Sequence, residues 1–258
     1  MTKLRRGRQI FPLRGRLFAP RFLQNAMLLR YNLLYANWGI LRSGAAAPLS
    51  NKKRKEDATK MEDFKVTVEG SGKHVHVSRE TLDVLFGKGY ELTPKKMLSQ
   101  PGQYSCEERI DVVGPKNTFK SVVIIGPCRK EDQVEMSFTD ARAVGIDAPI
   151  RMSGDLAGTP GCTLVGPNGS VELKQGVIIA QRHLHCCPED AERFGIKDGE
   201  EVILRIDGPR SLYFDSCIAR VGPTHATFIH VDYDEVNAAA LFAGNTVATV
   251  LKKSDHCK

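Results

Sequence analysis

The sequence has no long uncharged apolar run. In the apolar N-terminal stretch the longest runs from Tyr31 to Leu41, closed by Arg30 and Arg42. That is far short of the ~20 residues that span a bilayer as a helix, so no membrane span is expected and the chain reads as soluble. Also missing is any Cys-x-x-Cys pair. The seven cysteines (Cys106, Cys128, Cys162, Cys186, Cys187, Cys217 and Cys257) are odd in number and scattered. This argues against a disulfide framework or a thiolate zinc knuckle and fits a reducing compartment. With 258 residues, 41% hydrophobic and 26% charged, the chain can bury a core as one large domain or two small ones, which excludes disorder throughout.

Acidic residues are absent from Met1 to Lys55. Residues 1–60 hold 14 Lys/Arg against 2 Asp/Glu, a balance of +12, and the remaining residues hold 23 against 28, a balance of −5. The basic character therefore sits in a leader, and a mildly acidic body argues against nucleic-acid binding by the folded part. Arg-rich, acid-free composition is that of an organelle transit peptide. A second reading is an amphipathic docking peptide, with Leu28, Leu29, Tyr31, Leu33, Leu34 and Tyr35 offering an apolar surface. A third is a misassigned start: Lys55-Glu56-Asp57 can be encoded by a ribosome-binding sequence just upstream of Met61. Residues 1–60 are set aside from the fold on every reading.

After Met61 one device recurs, a few β-branched residues followed by Gly-Pro. It stands at Gly114-Pro115, Gly126-Pro127, Gly166-Pro167, Gly208-Pro209 and Gly222-Pro223. Glycine admits positive φ, and proline presets a turn while refusing a ladder hydrogen bond. Short Val/Ile runs between such stops predict a mainly β, antiparallel barrel-type protein. Short helices are expected at Ser78–Phe86, Thr139–Val144, Pro188–Phe194 and Asp234–Leu241, with Thr139, Pro188 and Asp234 as starts. The body also repeats itself. His74-Val75-His76 and His183-Leu184-His185 each lead into a short helix, and one gap aligns Glu135 with His230. Two similar barrels joined through Gly154–Gly161 are the simplest arrangement.

Two histidines at i and i+2 on a strand project from one face, because side chains alternate with period two. Both imidazoles reach one cation, and a third ligand arrives from another strand. His74, His76 and Glu135 form one such set; His183, His185 and His230 form the other. Nitrogen and carboxylate donors suit zinc, and three protein ligands with an open fourth position are the catalytic arrangement. His225 and His256 lie outside the pattern and read as ordinary surface residues. Arg129, six residues before Glu135, offers a guanidinium for phosphate, the bland alternative being a solvated turn arginine.

Six stretches, GSGKHVHVS, FGKGYELTPKKMLSQPGQY, IIGPCRKEDQVEMSFTDAR, APIRMSGDLAGTPGC, GVIIAQRHLH and HVDYDEVNAA, resemble the PduL-type phosphate acyltransferase (phosphate propanoyltransferase) family from about Val66 to Leu251. The resemblance implies two β-barrels with short capping helices, the first over 73–180 and the second over 62–72 plus 181–251. It implies the reversible reaction of acyl-CoA (propanoyl or a similar short chain) with phosphate to give acyl phosphate and CoA. Two zinc ions per chain are implied, on His74, His76 and Glu135 nearer the CoA sulfur and on His183, His185 and His230. Arg129 matches the phosphate-binding arginine, and Gly70, Ser71, Gly72, Lys116 and Asn237 match CoA-contacting positions. Cytoplasm or a bacterial microcompartment lumen is implied as the location, and a homo-oligomer and a contact of the leader with a microcompartment shell are compatible.

Two departures stand out. Cys186-Cys187 takes the place of an apolar residue and Thr, a thiol pair that either competes for zinc or oxidises, or else is inert as buried small hydrophobes. Val123 stands where a basic CoA contact is expected. The expected chemistry is direct phosphate attack without an acyl-enzyme. The rivals are a zinc hydrolase, separated by phosphate dependence of CoA release, and a non-catalytic zinc-binding barrel module of a shell, separated by stoichiometric zinc without acyl transfer.

Overall fold

The Gly-Pro stops do end strands. In the computed structural model, which describes residues 63–241 and 246–256, the chain runs β1 (Phe64–Ser71), β2 (His74–His76), α1 (Arg79–Phe86), β3 (Pro94–Met97), β4 (Tyr104–Val113), β5 (Thr118–Gly126), β6 (Gln133–Met136), α2 (Phe138–Val144), β7 (Ile150–Arg151), β8 (Thr163–Val165) and β9 (Ser170–Glu172). It continues through β10 (Val177–Ala180), β11 (His183–Cys186), α3 (Pro188–Phe194), β12 (Glu201–Ile206), β13 (Leu212–Val221), β14 (Phe228–Asp232), α4 (Tyr233–Ala239), β15 (Val247–Lys252) and α5 (Lys253–His256). The expected transit, docking or start-site features of residues 1–60 lie outside the described residues.

The mainly β, two-barrel reading holds with two refinements. One sheet closes, in the order β1-β14-β11-β13-β12-β15; the other is a nine-stranded open sheet, β7-β10-β6-β2-β5-β4-β8-β9 with β3 added beside β4, curled into a half barrel. Pairing is also not antiparallel throughout. β2 runs parallel to β5 and antiparallel to β6, while β11 runs parallel to β13 and antiparallel to β14. Each His-bearing strand meets its parallel neighbour only after a long excursion of chain, the kind of connection parallel pairing needs.

Strand alternation builds two cores. Phe64, Val66 and Val68 of β1 join Leu184, Cys186, Leu204, Ile206, Ile229 and Val231 inside the closed barrel. Val75, Ile110, Ile124, Val134 and Met136 pack with Leu82 and Leu85 of α1 beneath the open sheet. Each such side chain contributes about 1.5–3 kcal/mol on full burial. The intervening residues, His74, His76, Glu135, His183, His185 and His230 among them, therefore point away from both cores.

The helices start earlier than expected at two places. Ser137 caps α2, accepting from the Asp140 N–H at 3.2 Å, and Asp232 caps α4, accepting from the Glu235 N–H at 2.9 Å. Glu235 reciprocates to the Asp232 N–H, completing a capping box. Thr139 and Asp234 are thus first-turn residues. Cap side chains must lie outside the helix to reach its free N–H groups, and the period of apolar residues does not reveal which residue does so. No helix among the described residues is long and apolar enough to cross a membrane.

Candidate metal centre and substrate cleft

Register assembles the two His-x-His pairs with their third partners. His74 stands opposite Glu135 across β2 and β6, and His183 stands opposite His230 across β11 and β14. The alignment of Glu135 with His230 is thus a spatial equivalence as well. In each group the three donor atoms lie within 4.8 Å of one another. Both groups, with Arg129, line one cleft of about 440 Å³ between the outer face of the closed barrel and the open sheet.

The donor chemistry fits divalent cations. His74 donates from Nδ1 to the Gly72 carbonyl at 2.8 Å, and His76 from Nδ1 to the Ile125 carbonyl at 3.1 Å. Rings so tied at Nδ1 turn Nε2 toward the site, and these two Nε2 atoms are only 3.2 Å apart. His183, tied from Nδ1 to the Gln181 carbonyl at 2.8 Å, brings its Nε2 within 3.1 Å of His185 Nε2. Zinc–nitrogen bonds of roughly 2.0–2.1 Å at tetrahedral angles place neighbouring donors about 3.3 Å apart. Lone pairs that close repel unless a cation or a proton lies between them.

Protonation states agree. Burial, with His74 and Arg129 nearby, pushes His76 down to about 3, and burial with His230 beside it pushes His183 down to about 4. Burial, with His183 and His230 near, takes His185 to about 2. Burial alone would raise the Glu135 carboxyl, but the His74, His76 and His183 rings and Arg129 outweigh it and keep it ionised. Neutral imidazole and ionised carboxylate are the ligand forms of these groups.

Glu135 is held by residues the sequence did not single out. Its Oε1 accepts from the Gln133 amide at 2.5 Å and the Ser153 hydroxyl at 3.0 Å, while Oε2 lies 3.5 Å from His74 Nε2. Ser153 in turn accepts from Arg129 Nη1 at 3.1 Å. Gln133 carries a signal in hindsight, since it lies two residues before Glu135 on the same strand face. Ser153 carries none, because it sits on a loop after β7.

The remaining candidates divide. Gly70, Ser71 and Gly72 line the cleft. A Cβ on Gly70 would meet Val236 Cγ2 at 2.8 Å and the Tyr233 ring at 2.9 Å, so close helix approach also demands glycine there. Lys116, in the β4–β5 turn with its N–H on the Val144 carbonyl at 3.0 Å, and Asn237, exposed on α4, lie outside the lining. Val123 is within it. Cys186 turns inward from His185 into the barrel core, and burial raises its thiol to about 11. Cys187 Sγ accepts from the Thr227 hydroxyl at 3.4 Å, and neither thiol belongs to a group placed to hold an ion. His225 departs from its surface reading, its ring packing edgewise on His185 at 4.6 Å between centroids.

Comparison with known proteins places the chain in a family. The family model for phosphate propanoyltransferase matches residues 67–242. A phosphate propanoyltransferase of Listeria monocytogenes is 54% identical over 179 residues, covering 69% of this chain and 84% of the relative. One of Clostridioides difficile is 50% identical over 189 residues, covering 73% and 90%. One of Enterococcus faecalis is 51% identical over 177 residues, covering 69% and 84%. With most of each relative spanned at this identity, the chain belongs to the phosphate propanoyltransferase family.

Proposed function

We propose that the chain catalyses the reversible reaction of a short acyl-CoA, propanoyl-CoA or a near neighbour, with phosphate to give acyl phosphate and free CoA. His74, His76 and Glu135 would hold one zinc ion and His183, His185 and His230 a second. The observation that carries this reading is the opening of both triads, with Arg129, onto one cleft. CoA, phosphate and acyl phosphate are its small-molecule partners, and cytoplasm or a microcompartment lumen its place of work.

In the acyl-phosphate-forming direction a phosphate oxygen attacks the thioester carbonyl, the C–S bond breaks, and CoA leaves as its thiolate. The difficulty is charge: a phosphate dianion must approach a carbonyl that itself becomes an oxyanion. Arg129 answers part of this. Its guanidinium is aimed by Ser153 and offers paired N–H donors to phosphate oxygens. Ser153 joins Arg129 to Glu135, so phosphate position is coupled to the first triad. Zinc, when bound, supplies electrophilic charge that gathers phosphate and stabilises both the oxyanion and the departing thiolate. Among the described residues no cysteine lines the cleft, and the Ser153 hydroxyl is committed to Glu135, which supports direct attack over an acyl-enzyme.

The test is release of CoA from propanoyl-CoA with and without phosphate, before and after metal stripping and zinc return. The reading expects strict phosphate dependence and loss on stripping. Release without phosphate would make the protein a hydrolase, and full activity of stripped protein would remove zinc.

A further inference from the structure

The two triads differ by one charge. A divalent ion on His74, His76 and Glu135 is offset by one carboxylate; on His183, His185 and His230 it would be offset by none. The fold brings a carboxylate to the second triad from a strand that supplies none of its three members. Glu69 of β1 stands opposite His230 of β14, which stands opposite His183 of β11. The three form a row across adjacent strands. Glu69 follows Lys65 and Thr67 on the outward face of β1, whereas Phe64, Val66 and Val68 point into the core.

The contacts are specific. Glu69 Oε2 lies 3.2 Å from His230 Nε2 and accepts the Ser99 hydroxyl at 2.6 Å. Ser99 comes from the β3–β4 loop of the other sheet. Its neighbour Gln100 fixes that loop to the strand approach of β14, donating to the Ala226 carbonyl at 3.1 Å and accepting the Ala226 N–H at 3.3 Å. Thus the carboxylate is held from both sides of the cleft. Glu69 is not a member of the ion-capable group itself, so its reach is to His230. A carboxylate oxygen only accepts, so in this contact His230 donates from Nε2, which leaves Nδ1 as the ring nitrogen available to an ion. Metal-bound histidines commonly donate their second ring N–H to such a carboxylate, which sets tautomer and ring orientation and raises ligand basicity.

We infer that Glu69, braced by Ser99, is a positioning residue for the second metal: it holds His230 as the Nε2–H tautomer with Nδ1 facing the ion and supplies the negative charge that Glu135 supplies at the first. The inference rests on the metal reading of the second triad proposed above.

The test uses the full chain, zinc as the probe, and the variants Glu69→Gln, Glu69→Ala and Ser99→Ala. Zinc content and chelator competition are measured together with two-bond ¹H–¹⁵N correlation of the histidine rings, the His230 signals being assigned with His230→Gln. Two zinc ions are expected in the wild type. The more weakly held should lose about ten- to hundredfold in affinity in Glu69→Ala, with a smaller loss in Ser99→Ala and an intermediate one in the isosteric Glu69→Gln, which also guards against misfolding. His230 should be protonated at Nε2 with and without metal. Wild-type affinity at both sites in Glu69→Ala, or coordination of His230 through Nε2, overturns the positioning role while leaving the zinc reading intact. A wild-type chain that takes up one zinc or none overturns both, a result distinct from the first.

Discussion

His225 donates its Nδ1 proton to the main-chain carbonyl of Arg220 at 2.8 Å. In the internal repeat that carbonyl corresponds to the Ile125 carbonyl, which receives His76 Nδ1, because His74 pairs with Val123 as His183 pairs with Ile218. The acceptor due to His185 is therefore taken, and His185 Nδ1 is buried with no hydrogen-bond partner among the described residues. The second triad has a less firmly oriented imidazole than the first.

Metal release should follow that asymmetry. Under chelator challenge of zinc-loaded protein, zinc is expected to leave in two phases, the second triad emptying first. His225→Ala, which frees the Arg220 carbonyl, should slow the fast phase. Loss of both ions in one phase, traced by stopped-flow with a zinc indicator dye, would count against the asymmetry.

Arg129→Ala should raise the apparent KM for phosphate about tenfold or more while leaving that for propanoyl-CoA within about twofold. Arg129→Lys should recover only part of the loss, since a lysine cannot offer the paired donors. An unchanged phosphate dependence contradicts the assigned role.

His74→Ala should lower turnover by about a hundredfold or more and remove one zinc per chain. The fold should persist, because His74 points into the cleft and a cleft hydrogen bond contributes only about 1 kcal/mol, against two cores of buried aliphatic side chains. Circular dichroism and metal content measured on the same sample separate these effects; unfolding of the variant would show that the histidine is structural.

Gly161→Ala tests the Gly-rich stretch Gly154–Gly161, which lies between β7 and β8 of the open sheet and does not join the two sheets as the sequence suggested. A Cβ there would lie 1.8 Å from the Leu173 carbonyl oxygen, so backbone must shift, at an expected cost of about 1–3 kcal/mol. Thermal or urea unfolding reads the loss, and activity per folded molecule should stay unchanged. A neutral effect on stability would mean the loop moves freely.

Local physics makes much of this protein legible in its sequence. Period-two alternation alone puts both rings of His74-Val75-His76 and of His183-Leu184-His185 on one face, and the repeat pairs Glu135 with His230. The Gly-Pro stops mark strand ends because proline cannot continue a ladder. Ser153, Gln133 and Glu69 were not singled out from sequence, since each matters through a partner supplied by register or by a loop from elsewhere in the chain.

The amino-acid sequence by itself determined which side chains share a strand face, where strands stop and which donor types are available, all consequences of short-range stereochemistry. Only the tertiary structure decided that one sheet closes and the other stays open, that both triads face a common cleft, and that Glu69 meets His230 across 161 residues of chain. Those outcomes depend on strand order and register, which long-range packing selects and no local pattern encodes.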